Sequence, residues 1–132
     1  MKKKELIMST LEKMGFSPEC DEDDNIVIRY QLKHILLMAH DEEEPYVSMV
    51  LPMFNVVEED QVALALAVCN KMTRELKMIK VYVEDDFDAV TASCEFFFAN
   101  KTSLAQNLRR SLEVLGVVRT LYRKHIEEMS ED

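Results

Sequence analysis

Asp21, Asp23 and Asn25 alternate as the first ligands of a calcium-binding loop do, with every second side chain offering an oxygen to one cation. Such a loop also needs glycine at its sixth position and a bidentate glutamate at its twelfth, and counted from Asp21 these positions hold Ile26 and Leu32. The run is therefore expected to be a solvated acidic turn. His34, His40 and His125 have no cysteine or second histidine at ligand spacing, so no metal site is expected. The carboxylate pairs Glu43-Glu44, Glu58-Glu59 and Asp85-Asp86 fall in expected turns or a first helical turn, whereas a general acid needs an apolar pocket to raise its pKa. Gly15 and Gly116 are the only glycines, too few for a backbone that wraps a nucleotide phosphate. Neither catalytic residues nor a cofactor are indicated.

Cys20, Cys69 and Cys94 are odd in number and far apart, which suits reduced thiols in a cytoplasmic protein, and Cys69 and Cys94 lie in apolar patterns as small buried residues. A net charge of -9 argues against unaided nucleic-acid binding and against anionic membrane surfaces, both of which call for lysine and arginine. Hydrophobic stretches are only strand-length, and Lys2-Lys3-Lys4 is followed at once by Glu5, so neither a signal peptide nor a spanning helix is expected. With 132 residues, 48% of them hydrophobic, one domain over 1–132 with one core is expected. Met49, Met53, Met72 and Met78 belong in that core unless some coat an adaptable binding surface.

The elements that must position these groups follow from periodicity. Leu6, Ile7, Thr10, Leu11 and Met14 share one side of a helix that stops at Gly15, and its lysine-rich start opposes the helix dipole and should fray. Strands are expected at Ile26–Tyr30, 35–40 and 46–54, the last two separated by the acidic turn Asp41-Glu42-Glu43-Glu44-Pro45. Val62, Ala65, Leu66, Cys69, Met72 and Leu76 form one helical stripe, with Leu64 and Val68 widening it. A hairpin follows, Lys80 to Val83 and Val90 to Phe98, joined through Glu84-Asp85-Asp86, and Phe97 interrupts the polar face of its second strand. Asn100 and Ser103 supply N-cap chemistry for a long last helix with a frayed tail from Glu127 to Asp132.

Certain residues carry a family likeness: Gly15-Phe16 with Pro18, the Asp21-Glu22-Asp23-Asp24 turn, the strand Ile26–Tyr30, and 46–52 after acidic residues. Ala67-Val68-Cys69-Asn70 with Lys80-Val81-Tyr82-Val83, then 92–98 with Glu95 central, carry it further. In these the chain resembles the bacterial YbjN family, whose fold is similar to that of the class I type III secretion chaperones. Where such proteins often place a glycine in the turn after the second strand, this chain has Gln31-Leu32-Lys33. The resemblance implies an α+β fold in the order α-β-β-β-α-β-β-α, an antiparallel sheet of about five strands with three helices. It also implies a homodimer that binds other proteins rather than catalysing a reaction.

The broad apolar arc of the second helix and the outward Phe97 suggest an interface, with Leu64, Val68 and Phe97 in a dimer or partner contact. The expected function is a noncatalytic cytoplasmic module, chaperone-like or regulatory, whose sheet grooves and negative rim suit a basic, partly disordered client segment. The alternative is a small-molecule sensor or enzyme with a pocket between sheet and helices, using Tyr30, His34 or Arg119.

Overall fold

The computed structural model describes residues 2–39 and 43–130; His40, Asp41 and Glu42, and with them the end of the expected second strand and the start of the acidic turn, lie outside the described residues. Helix α1 (Lys3–Lys13) buries Ile7 and Leu11, and it closes as the sequence predicts. Gly15 takes φ 97°, its N–H bonds to Glu12 O, and the Phe16 N–H reaches back to Leu11 O at 3.0 Å, a Schellman close that needs a left-handed residue. The other end corrects the expectation of fraying. Lys3 is buried and its ammonium donates to the carbonyls of Glu44 (3.0 Å) and Tyr46 (2.9 Å), which pins the start of α1 to the start of a distant strand.

The strands are β1 (Glu19–Cys20), β2 (Ile26–Tyr30), β3 (Lys33–Met38), β4 (Tyr46–Val56), β5 (Ile79–Val83) and β6 (Ala89–Phe97). They make one antiparallel sheet in the order β1-β2-β3-β4-β6-β5, one strand more than expected because the chain just before the acidic turn pairs briefly with β2. That turn is held by Asp21, whose Oδ1 accepts the N–H groups of Asp23 (3.0 Å) and Asn25 (2.8 Å), so this carboxylate serves the backbone. The β2–β3 hairpin turns on Gln31 and Leu32 with φ 51° and 67°, the left-handed pair that a tight hairpin demands and that glycine or asparagine usually supplies.

Helix α2 (Val62–Glu75), entered through a 3-10 turn at Glu59–Gln61, packs on β5 and on the long helix α3 (Lys101–Ser130). Its inner face is Ala65, Val68, Cys69 and Met72, rotated from the expected stripe, so that Val68 is buried and Leu66 stands exposed. Helix α3 begins with a reciprocal cap: Asn100 Oδ1 accepts the Ser103 N–H at 2.9 Å while Ser103 Oγ accepts the N–H of Asn100 at 3.1 Å. It remains helical through Ser130, past the point where fraying was expected. At Gly116 the missing side chain admits Tyr30, since a Cβ there would lie 2.8 Å from the Tyr30 ring.

Ile7 and Leu11 of α1, Val68 and Met72 of α2 and Leu108 and Leu115 of α3 join one core with inward strand residues such as Ile28, Met49, Val81 and Cys94. All three helices therefore cover the same face of the sheet. The outer edge of β5 is also occupied: Thr73 Oγ1 accepts the Val81 N–H (3.0 Å) and donates to the Val81 carbonyl (3.2 Å).

Leu32 is 92% exposed, so its side chain contributes no packing that offsets its left-handed backbone. Leu32→Gly should therefore raise the unfolding free energy by about 1 kcal/mol, read from urea titrations, with no change in the spectrum of the folded state.

Candidate functional site

Successive strand residues point to opposite faces, so a sheet covered on one side presents half its side chains on the other. Direct pairing aligns them in rows: Leu36 with Val50 and Val50 with Ser93, then Met38 with Ser48 and Ser48 with Glu95. Lys80 stands beside Ser93 and Tyr82 beside Thr91. The result is a hollow of about 760 Å³ on the helix-free face, running across β3, β4, β6 and β5. Leu36, Val50 and Pro52 give it an apolar floor, and the small side chains of Ser48 and Ser93 keep it concave. At strand spacings near 4.8 Å the trough is about 14 Å wide, room for roughly four residues of extended chain laid across it.

Each end of the trough is built around a carboxylate. At one end Glu95 accepts from the Tyr46 hydroxyl and pairs with Lys80, and the Tyr46 ring in turn leans on Phe97 with centroids 5.3 Å apart. The hydrogen bond from Lys80, followed by that from Tyr46, holds the Glu95 carboxyl below the usual carboxylate range. The Glu95 carboxylate pushes the Tyr46 phenol up to about 12. At the other end β4 bulges: Pro52, Met53 and Phe54 all face Thr91 alone, between the pairs Leu51–Ala92 and Asn55–Val90. Met53 has φ 42°, its N–H donates to Thr91 Oγ1 at 2.9 Å, and the Thr91 hydroxyl donates to Glu84. Proline cannot supply a ladder N–H in a central strand, and a bulge is where it is tolerated.

The residues expected to touch a partner are dispersed. Phe97 is 66% exposed at the rim of the open face, Leu64 is half-buried against the core, and Val68 is wholly inside it, so Val68 offers a partner no surface. The methionines divide: Met49 and Met72 are core, while Met53 and Met78 are exposed. Tyr30 and His34 line separate hollows near α1, and Arg119 is an exposed residue of α3, so these three do not converge on a pocket between sheet and helices. Burial pushes the Cys69 and Cys94 thiols up to about 12, which keeps them protonated and unreactive. Among the described residues no group of three or more histidine, cysteine, aspartate or glutamate side chains is arranged to hold a metal ion. No described helix is long and apolar enough to cross a membrane. Periodicity did expose the outward row of β6, but not the trough, which needs strands that are distant in sequence.

Residues 2–128 match the family described as T3SS (YopN, CesT) and YbjN peptide-binding chaperone 1. The chain belongs to this family. Its fold agrees with that of YbjN from E. coli at a TM-score of 0.70 and 14% identity, over 92% of this chain and 91% of that one. It also agrees with an uncharacterized protein from Methanothermobacter thermautotrophicus at a TM-score of 0.60 and 15% identity, over 96% and 97%. No curated protein sequence matches.

Because folding depresses the Glu95 pKa, the stability it contributes is present above the ordinary value of 4.5 and is lost as pH falls through the lower folded value. Urea midpoints measured at pH 6 and pH 3 should therefore fall less for Glu95→Gln than for the parent chain.

Proposed function

We propose that this chain is a noncatalytic holder of extended protein segments, with the trough on the helix-free face as the seat for the client. The supporting observation is the hollow of about 760 Å³ itself: an apolar floor of Leu36, Val50 and Pro52 on the side of the sheet that no helix covers. An extended client laid there buries its apolar side chains on this floor, and the half-buried Ser48 hydroxyl lies within the same surface for polar contacts. Burying about 200 Å² of apolar surface contributes about 5 kcal/mol before the costs of ordering the segment, so apolar burial in one trough supports a Kd of about 0.2 mM at best. Weak seats become strong when joined, and a homodimer would present two troughs to one long client.

Phe97 belongs to the proposed dimer or partner contact, because a large aromatic ring at the rim of the open face remains mostly uncovered in the isolated chain. Leu64 contributes at most its exposed edge.

The test is binding of a library of unstructured nine-residue peptides, read by fluorescence anisotropy, to the chain and to Met38→Glu. Met38 stands at the trough wall with its side chain partly in solvent, so the substitution should leave the thermal midpoint within a few degrees while weakening captured peptides about tenfold or more. Equal binding by Met38→Glu would place the client elsewhere. For the pairing, light scattering of Phe97→Glu should show a smaller mass than the parent chain at the same concentration; a parent chain that is already monomeric at high concentration overturns the dimer.

A further inference from the structure

The two carboxylates at the ends of the trough are not equivalent. Glu95 is neutralised by Lys80, whereas Glu84 receives only the hydroxyl of Thr91, and no lysine or arginine among the described residues pairs with it. Glu84 is fixed there by the bulge, through the relay from the Met53 N–H to Thr91 and from Thr91 to the carboxylate. Tyr82, two residues earlier on the same face of β5, is 39% exposed and lines the same hollow. Met53, the next wall residue, is 65% exposed and offers a flexible thioether chain. Immediately beyond lie Asp85, Asp86 and Asp88, all exposed, on a chain whose net charge is -9. A half-exposed carboxylate, a tyrosine ring and a methionine side chain around one corner are what a long cationic side chain needs: an ion-pair acceptor, a π face and a surface for its methylenes.

Resting on the reading of the trough as a peptide seat, we infer that the segment it takes carries a lysine or arginine that seats against Glu84 and Tyr82, next to apolar residues lying over Leu36, Val50 and Pro52. The peptide class is then cationic and apolar in alternation, extended, and oriented by the one charged contact. At the opposite end Glu95 is already paired with Lys80, so that carboxylate does not compete for the cation.

The experiment compares two fluorescein-labelled nine-residue peptides of alternating valine and serine, one with a central lysine and one with norleucine at that position. The lysine peptide should bind the parent chain about tenfold more tightly in low salt. The preference should shrink in ~0.5 M sodium chloride, where screening is strong. Glu84→Gln should lose the preference while keeping its affinity for the norleucine peptide, since the amide oxygen still accepts from Thr91. Glu84→Lys should prefer a peptide with a central glutamate, a reversal that misfolding could not produce. Equal affinities for the two peptides in the parent chain, or a lysine preference that survives Glu84→Gln, overturn the cation seat and leave the trough as a purely apolar site. Failure of both peptides to bind the parent chain, or binding that Met38→Glu leaves untouched, overturns the peptide seat itself and the cation seat with it.

Discussion

The helices lie on one side of the sheet, and a pleated strand cannot send all its side chains to that side. Ile28, Met49, Val81 and Cys94 go inward to α1, α2 and α3, so the pairing that aligns them forces Leu36, Val50, Ser93 and Tyr82 outward. A one-sided sheet normally answers with a polar outer face. Here the outer face mixes small hydroxyl side chains with Leu36, Val50 and Pro52, and its charged groups are tied to neighbours in the same surface. The face is thus apolar over much of its floor and hydrogen-bonded at its ends.

Shape comes from the bulge in β4. Three residues opposite one push Met53 outward, and β3 pairs with β4 only as far as the Leu36–Val50 pair, so the sheet opens where Pro52 begins. The left-handed backbone at Met53 costs on the order of 1 kcal/mol. The Thr91 hydroxyl meets the amide that the bulge leaves without a ladder partner, and it positions Glu84 with its own proton. One threonine therefore joins a backbone irregularity to the placement of a charge.

What the sequence disclosed follows from which forces are local. The Gly15 close and the Asn100–Ser103 cap are set by neighbours a few residues away and stand as anticipated, whereas β6, expected to be half-buried, is buried on both faces from Ala89 to Cys94 because β4 and β5 flank it. The face of α2 was legible only to within a rotation, because Ala65, Cys69 and Met72 fit arcs centred on either side; contact with β5 and α3 selects Val68 and leaves Leu66 outside. Lys3 looked like a frayed cation because its acceptors, the carbonyls of Glu44 and Tyr46, carry no signature in side-chain chemistry. The trough was illegible for the same reason: its order β3-β4-β6-β5 joins segments that no local pattern links, and the bulge depends on a threonine in another strand.

Thr73 has a wider meaning. An uncovered sheet with apolar outward side chains is at risk of stacking edge to edge with copies of itself into fibrils. Along β5 an incoming strand would find the amide and carbonyl of Val81 already engaged by the α2 side chain, and at the far edge β1 is only Glu19–Cys20, one residue of it charged. Both margins of the sheet are thus partly closed to an added strand, at Val81 by the threonine hydroxyl and at Ile26 and Val27 by the short β1, although the face between them is apolar.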